Sequence, residues 1–189
     1  MDFRHEWKHE INYSDMVVLR QRLKAVMKPD ENAVNGKYFI RSLYFDNISD
    51  KALREKIDGV NCREKFRIRY YNGDTSLIHL EKKSKINGLG NKQSASLSAE
   101  EAQKIVDGDL NWMADCDRPL VQELYSKMKS QGLRPKTIVD YTREPFVFSA
   151  GIFSIIVNNN FFKLSRLLLN TLITSEWETG GTSPTKPAS

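Results

Sequence analysis

Apolar and polar residues alternate almost without interruption through the middle of the chain. Residues 63–71, REKFRIRYY, put Lys65, Arg67, Arg69 and Tyr71 on one side and Phe66, Ile68 and Tyr70 on the other. A period of two is that of a β-strand with one face in a core. Asn72-Gly73-Asp74 is a turn signal, and residues 76–85, SLIHLEKKSK, return as the partner strand. There Ile78 and Leu80 continue the core face, while Leu77, His79, Glu81, Lys83 and Lys85 share the other.

The flanking patterns predict an α+β chain. Residues 3–11, FRHEWKHEI, read as a strand with Arg4, Glu6, Lys8 and Glu10 on one face and His5, Trp7, His9 and Ile11 on the other. Ser14 caps a helix through Met27, with Leu19, Leu23 and Val26 in one stripe and Pro29 as its stop. Residues 37–46 read as a second strand, and Ser49 caps a short helix over 50–59 that Gly59 ends. Residues 86–97, INGLGNKQSASL, read as a loop that carries Lys92. Ser98 and Glu101 form a capping box for a helix to Asp107. A second helix follows Asp117, with Pro119 in its first turn, Leu120, Leu124 and Met128 inward, and Gly132 at its end. Residues 136–143 predict another strand and 146–158 one or two more. The pattern then changes: 158–170, NNNFFKLSRLLLN, gathers asparagines and leucines, and 179–189 reads as a disordered tail.

Composition narrows the function classes. A length of 189 residues suits one domain, and 40% hydrophobic residues exclude a disordered or collagen-like chain. No stretch approaches the ~18 apolar residues of a spanning helix. The N-terminus is charged from its second residue, unlike a secretory signal. Cys62 and Cys116 fit no metal spacing, so a cytoplasmic protein with reduced thiols is expected. His5 and His9 lie four apart, a helical metal spacing in a segment that reads as strand. P-loop, nucleophile-elbow and dinucleotide fingerprints are missing.

Charge changes the picture most. The net charge is +5, and residues 63–92 alone hold eight Lys/Arg against three Asp/Glu, an excess of five. Such concentration points to a polyanionic partner. Lys65, Arg67 and Arg69 project the same way at ~6.6 Å intervals. Like charges along one face repel, which a bound anion offsets, and the arginine fork suits phosphate oxygens. Glu81 could hold an arginine in position or help bind a divalent cation that phosphates carry. Two readings stay open at this point: the wet face of an antiparallel sheet, or an anion site.

In order, RHEWKHEI, IRSLYFDN, KALREKIDGVNCREKFRIRYYNGD, LEKKSKINGLGNKQSASLSAEEA and VDYTREPF make residues 3–150 resemble the VTC domain, the polyphosphate polymerase domain of the CYTH-like triphosphate tunnel superfamily. The resemblance implies an antiparallel β-tunnel with flanking helices. It implies transfer of the ATP γ-phosphoryl group to a polyphosphate chain with Mn²⁺ or Mg²⁺, so ATP and inorganic polyphosphate are the expected partners and nucleic acid is not. By resemblance, Lys8, Arg67, Arg69, Lys83 and Arg143 are the candidate catalytic residues. Lys65, Lys85 and Lys92 are candidate phosphate binders, and Glu81 and Glu6 candidate metal ligands. Where the family has Asn-Val-Arg-Ile-Thr-Leu-Asp, this chain puts Ser154 at the arginine and Asn158 at the aspartate. The domain is therefore expected over 1–158, with 159–189 outside the family, the tunnel incomplete and its open strand edges prone to self-association. A reading frame disrupted near codons 151–160 would explain this; so would a natural ending in which 161–173 form a helix against the open edge. A non-catalytic polyphosphate or nucleotide binder and a triphosphatase are the alternatives in function.

Overall fold

The computed structural model describes residues 9–148 and 154–165. They form seven strands and four α-helices. The first helix, α1, spans Tyr13–Val26. A two-residue strand β1, Lys28–Pro29, precedes β2, Tyr38–Asp46, and the short helix α2, Lys51–Ile57. Three strands follow: β3 Cys62–Tyr71, β4 Asp74–Ile86 and β5 Leu89–Leu97. Then come α3 Ala99–Asp107, a 3₁₀ turn at Asn111–Met113, α4 Pro119–Gln131, β6 Arg134–Val147 and β7 Ser154–Ser165.

All pairings are antiparallel, in the order β1-β6-β2-β3-β4-β5, with β7 on β6. The sheet curls into a half-barrel. Its convex face is apolar: Phe66, Ile68, Tyr70, Ile78 and Leu80 form the core face that alternation predicts, joined by Leu43, Phe45 and Ile138. Ala102 and Ile105 of α3 and Leu120, Val121 and Leu124 of α4 pack against them. Each buried Val, Leu, Ile or Phe among them contributes roughly 1.5–3 kcal/mol on burial. A second cluster sets Met16, Leu23 and Met27 against Phe146 and Val157, which seats α1 behind β6 and β7.

The predicted hairpin, the Ser98–Glu101 capping box and the Pro119-to-Gly132 helix all form. Several other expectations need correction. Residues 86–97 are not a loop. Asn87 and Gly88 take φ of 50° and 86°, the left-handed pair of a type I′ turn, and 89–97 return as β5. The cap of α1 is Asn12, which accepts from the Asp15 amide, not Ser14. Val26 is exposed, and Met16 takes its place in the buried stripe. The helix stops at Met27, whose backbone is extended, and Pro29 pairs with Phe146. The Asp46 carboxylate, not Ser49, accepts from the first amides of α2 at Ala52 and Leu53. The strand expected over 136–143 runs unbroken from 134 to 147.

Residues 9–12 are not in a strand; the rest of the predicted first strand, with Glu6 and Lys8, lies outside the described residues. So does the predicted disordered tail. At the other end β7 carries the sheet to Ser165, so 161–165 are strand where one expectation had a helix; 166–173 lie outside the described residues. Both cysteines are free thiols. No helix among the described residues is long and apolar enough to cross a membrane.

Candidate functional site

The other face of the half-barrel collects the charged residues. Strand register sets them in rows. Lys65 of β3, Lys83 of β4 and Lys92 of β5 stand abreast, each directly opposite the next. The neighbouring row holds Tyr44, Arg67, Glu81 and Ser94, and the next Ser42, Arg69, His79 and Ser96. Beyond the lysine row, Lys85 pairs with Arg63 and Gly90. Arg143 on β6 lies opposite Tyr38. Strand register therefore sets every described candidate site residue on one face, Arg143 from β6 and the others from the two hairpins.

This is not the wet face of a sheet. Arg67, Arg69 and Glu81 are 6%, 2% and 1% exposed. A buried guanidinium needs partners for its donors. The Arg67 Nε donates to Glu81 Oε2 at 2.6 Å, and its Nη1 to the Tyr44 hydroxyl at 3.0 Å. The Arg69 Nε donates to Ser42 Oγ at 2.9 Å and its Nη2 to the Tyr141 hydroxyl at 2.8 Å. That same Tyr141 oxygen accepts from Arg143 Nη2 at 3.0 Å, so one phenol joins two guanidiniums. The rings contribute as well, with Lys65 and Arg67 over Tyr44 and Arg69 and Arg143 over Tyr141.

Glu81 is the central anion. Its Oε1 lies 2.6 Å from Lys92 Nζ, its Oε2 2.5 Å from Arg67 Nη2 and 3.9 Å from Arg69 Nη1. Burial alone would raise its pKa, but Arg67, Lys92 and Arg69 outweigh that and hold the carboxyl at about 2. Burial would raise the Tyr44 phenol too, but Arg67, Lys65 and Arg69 outweigh it and lower the phenol. Both oxygens of Glu81 are thus engaged, and no group of three His, Cys, Asp or Glu suited to a metal occurs among the described residues. Glu81 is the candidate metal ligand among the described residues, and a cation that arrives on phosphates takes only one or two carboxylates from a protein.

Alternation found the arginines and lysines but not Ser42, Tyr44 and Tyr141, which order them. Their signal was parity: Tyr38, Ser42 and Tyr44 fall on one face of residues 37–46, and Tyr141 shares a face with Arg143. The charges on the convex face have other work. Lys82, Glu64, Glu123 and Lys127 form a network that clamps α4 to β3 and β4. Arg20 pairs through two bonds of 2.7 Å with Glu144, tying α1 to β6.

A half-barrel of antiparallel strands with a buried, cation-rich concave face is the arrangement of a tunnel-type domain. The VTC domain model matches residues 3–178, and the chain belongs to that family. That membership makes it a nucleotide- or polyphosphate-related domain. The match runs past residue 158 and so takes in all of β7. No curated protein matches the chain. Among solved structures it is similar to a candidate adenylate cyclase from Bacillus halodurans, at 13% identity and a TM-score of 0.47, over 86% of this chain and 81% of that one.

Proposed function

We propose that this domain is of the polyphosphate polymerase type: it binds ATP along the concave face and transfers the γ-phosphoryl group to a polyphosphate chain. One observation carries the reading. Lys65, Lys83 and Lys92 stand abreast beside the buried Arg67 and Arg69, so five basic residues gather around the carboxylate of Glu81, a concentration of positive charge suited to a polyanion. In the reaction a terminal phosphate oxygen of the chain attacks the γ-phosphorus, the bond from that phosphorus to the β,γ-bridging oxygen breaks, and ADP leaves. The residues position reactants and offset charge; no covalent protein intermediate is required. Arg67, Arg69 and Arg143 offer forked donors to phosphoryl oxygens, and Lys65, Lys83 and Lys92 neutralise the terminal group. Lys85 extends the same basic lining beyond the lysine row, and Lys8 is a further catalytic candidate by family resemblance.

The test is turnover by the purified chain, supplied with ATP and a divalent metal salt. Polymer formation with release of ADP supports the polymerase reading. Tight binding of polyphosphate without turnover supports a non-catalytic binder, and phosphate release from tripolyphosphate without polymer supports a triphosphatase. No binding of any of these polyanions would refute all three.

A further inference from the structure

The short helix α2 carries its apolar residues on the wrong side. Seven residues are too few for a helix to hold its shape alone, so packing must supply the rest. Yet no α2 side chain is fully buried. Ala52 and Glu55, half-buried, line a small cleft against Phe45, Glu64 and Phe66. Leu53 and Ile57 point away from that cleft, one helical turn apart, and both are exposed. Ile48 just before the helix and Val60 just after it are exposed too. Ile48 and Ile57 reach 77% and 73%. A surface helix ordinarily turns its apolar stripe inward, and apolar groups gathered in one place mark a contact surface.

The place where β7 ends points to the occupant. Strand register puts Ser165 opposite Thr137 of β6. The preceding β6 residue, Lys136, holds the approach to α2: its Nζ donates to the Asn47 carbonyl at 2.8 Å and pairs with the Asp50 carboxylate at 2.6 Å. The chain therefore leaves β7 at the end of the sheet where α2 begins. Two strand spacings, about 10 Å, separate β7 from β2. Residues 166–173, RLLLNTLI, come next, and eight extended residues reach about 26 Å. Leu167, Leu168, Leu169, Leu172 and Ile173 are apolar, and Arg166 is the only charge. We infer that residues 166–173 lie across the outward face of α2 and cover Ile48, Leu53, Ile57 and Val60. The tether decides between occupants. A segment of the same chain meets the patch at an effective concentration in the millimolar range, which a second copy in dilute solution does not reach. Charge disfavours an anionic membrane, because residues 46–60 hold three Lys/Arg against four Asp/Glu, an excess of one acid. The inference stands apart from the polyphosphate reading.

Two measurements on the whole chain test this. Cys62, exposed at the start of β3 and two residues after Val60, is a native probe of the patch. Leu172→Cys, treated with a short bifunctional maleimide in dilute solution, is expected to link to Cys62 within one chain, while Cys116 serves as the internal reference and stays unlinked. Links between two chains would give the patch to a second copy, and links only to Cys116, or none, would remove the segment from α2; each overturns the assignment. Hydrogen exchange supplies the second reading. Leu169→Asp is expected to speed exchange of the α2 amides about tenfold and to leave the β3–β4 hairpin unchanged, while Leu169→Met keeps both as in wild type. Exchange in α2 equal to wild type in Leu169→Asp, or an equal acceleration in the hairpin, would contradict the inference.

Discussion

Lys92 stands directly opposite Lys83 but reaches diagonally to Glu81, placing its Nζ 2.6 Å from Oε1. One partner is half exposed and the other is sealed from solvent. The diagonal relieves the repulsion between adjacent lysines and gives the buried arginines a counter-ion. It also ties the carboxylate's charge state to stability. The Glu81 pKa is depressed from 4.5 to about 2 in the folded protein. Its contribution is therefore fully present above the unfolded value and is lost as pH falls through about 2. That shift corresponds to stabilisation on the order of 3 kcal/mol at neutral pH. Glu81→Gln should lose it, and the gap from wild type should close between pH 5 and pH 2. Urea denaturation at several pH values measures this; a gap that stays constant with pH would contradict it.

Arg67→Ala and Arg69→Ala should each weaken tripolyphosphate binding by about 1.5–3 kcal/mol, the range for a hydrogen bond to a charged group. Arg→Lys at either position should also lose affinity, because a point charge replaces a fork. Calorimetry decides: affinities equal to wild type in both alanine variants would leave Arg67 and Arg69 as purely structural ions.

Tyr141→Phe removes the oxygen that accepts from both Arg69 and Arg143. The ring remains, so packing is kept while two guanidinium donors lose their partner. Weaker tripolyphosphate binding is expected, by about 1–2 kcal/mol, with a modestly lower melting temperature because a donor of the buried Arg69 loses its partner. A large drop in melting temperature with unchanged affinity would point to a structural role for the phenol.

Tripolyphosphate should raise the melting temperature in a concentration-dependent way, as does any ligand that binds the folded state alone. Added salt should weaken the effect. The described sheet ends on β5 and β7, and unpaired strand edges favour association. Sedimentation over a range of concentrations should therefore detect self-association; a single monomeric species throughout would count against it.

What was legible in the sequence follows from what periodicity encodes. Strict alternation over 63–71 gave the strand, its core face and its charged face. Capping chemistry at Ser98 and Gly132 gave the limits of two helices. Enclosure was not legible. Arg67 lies on a polar face by parity, but parity is the same for a wet surface and for the inside of a curled sheet. That difference comes from the curl, which depends on strands distant in sequence. The segment 86–97 was misread for another reason. Its residues are small and polar because β5 presents few apolar groups, so composition suggested a loop. The stronger signal was Asn87-Gly88, the dipeptide already recognised as a turn at Asn72-Gly73. Residues 161–165 differ from the helical expectation as well, since Ser154–Ser165 pairs along β6 as one strand.

Those two Asn-Gly turns have a consequence for how the chain tolerates change. They bracket β4 at both ends, and each fixes the pairing of the strand it begins. The count of residues between them is therefore a constraint in itself. Deleting one residue there would swap inside for outside along part of the strand: Lys83 would turn toward α4, and a leucine or isoleucine would enter the basic trough. Substitutions in β4 can be graded by chemistry, but insertions and deletions should obey a parity rule, with single-residue changes more damaging than paired ones.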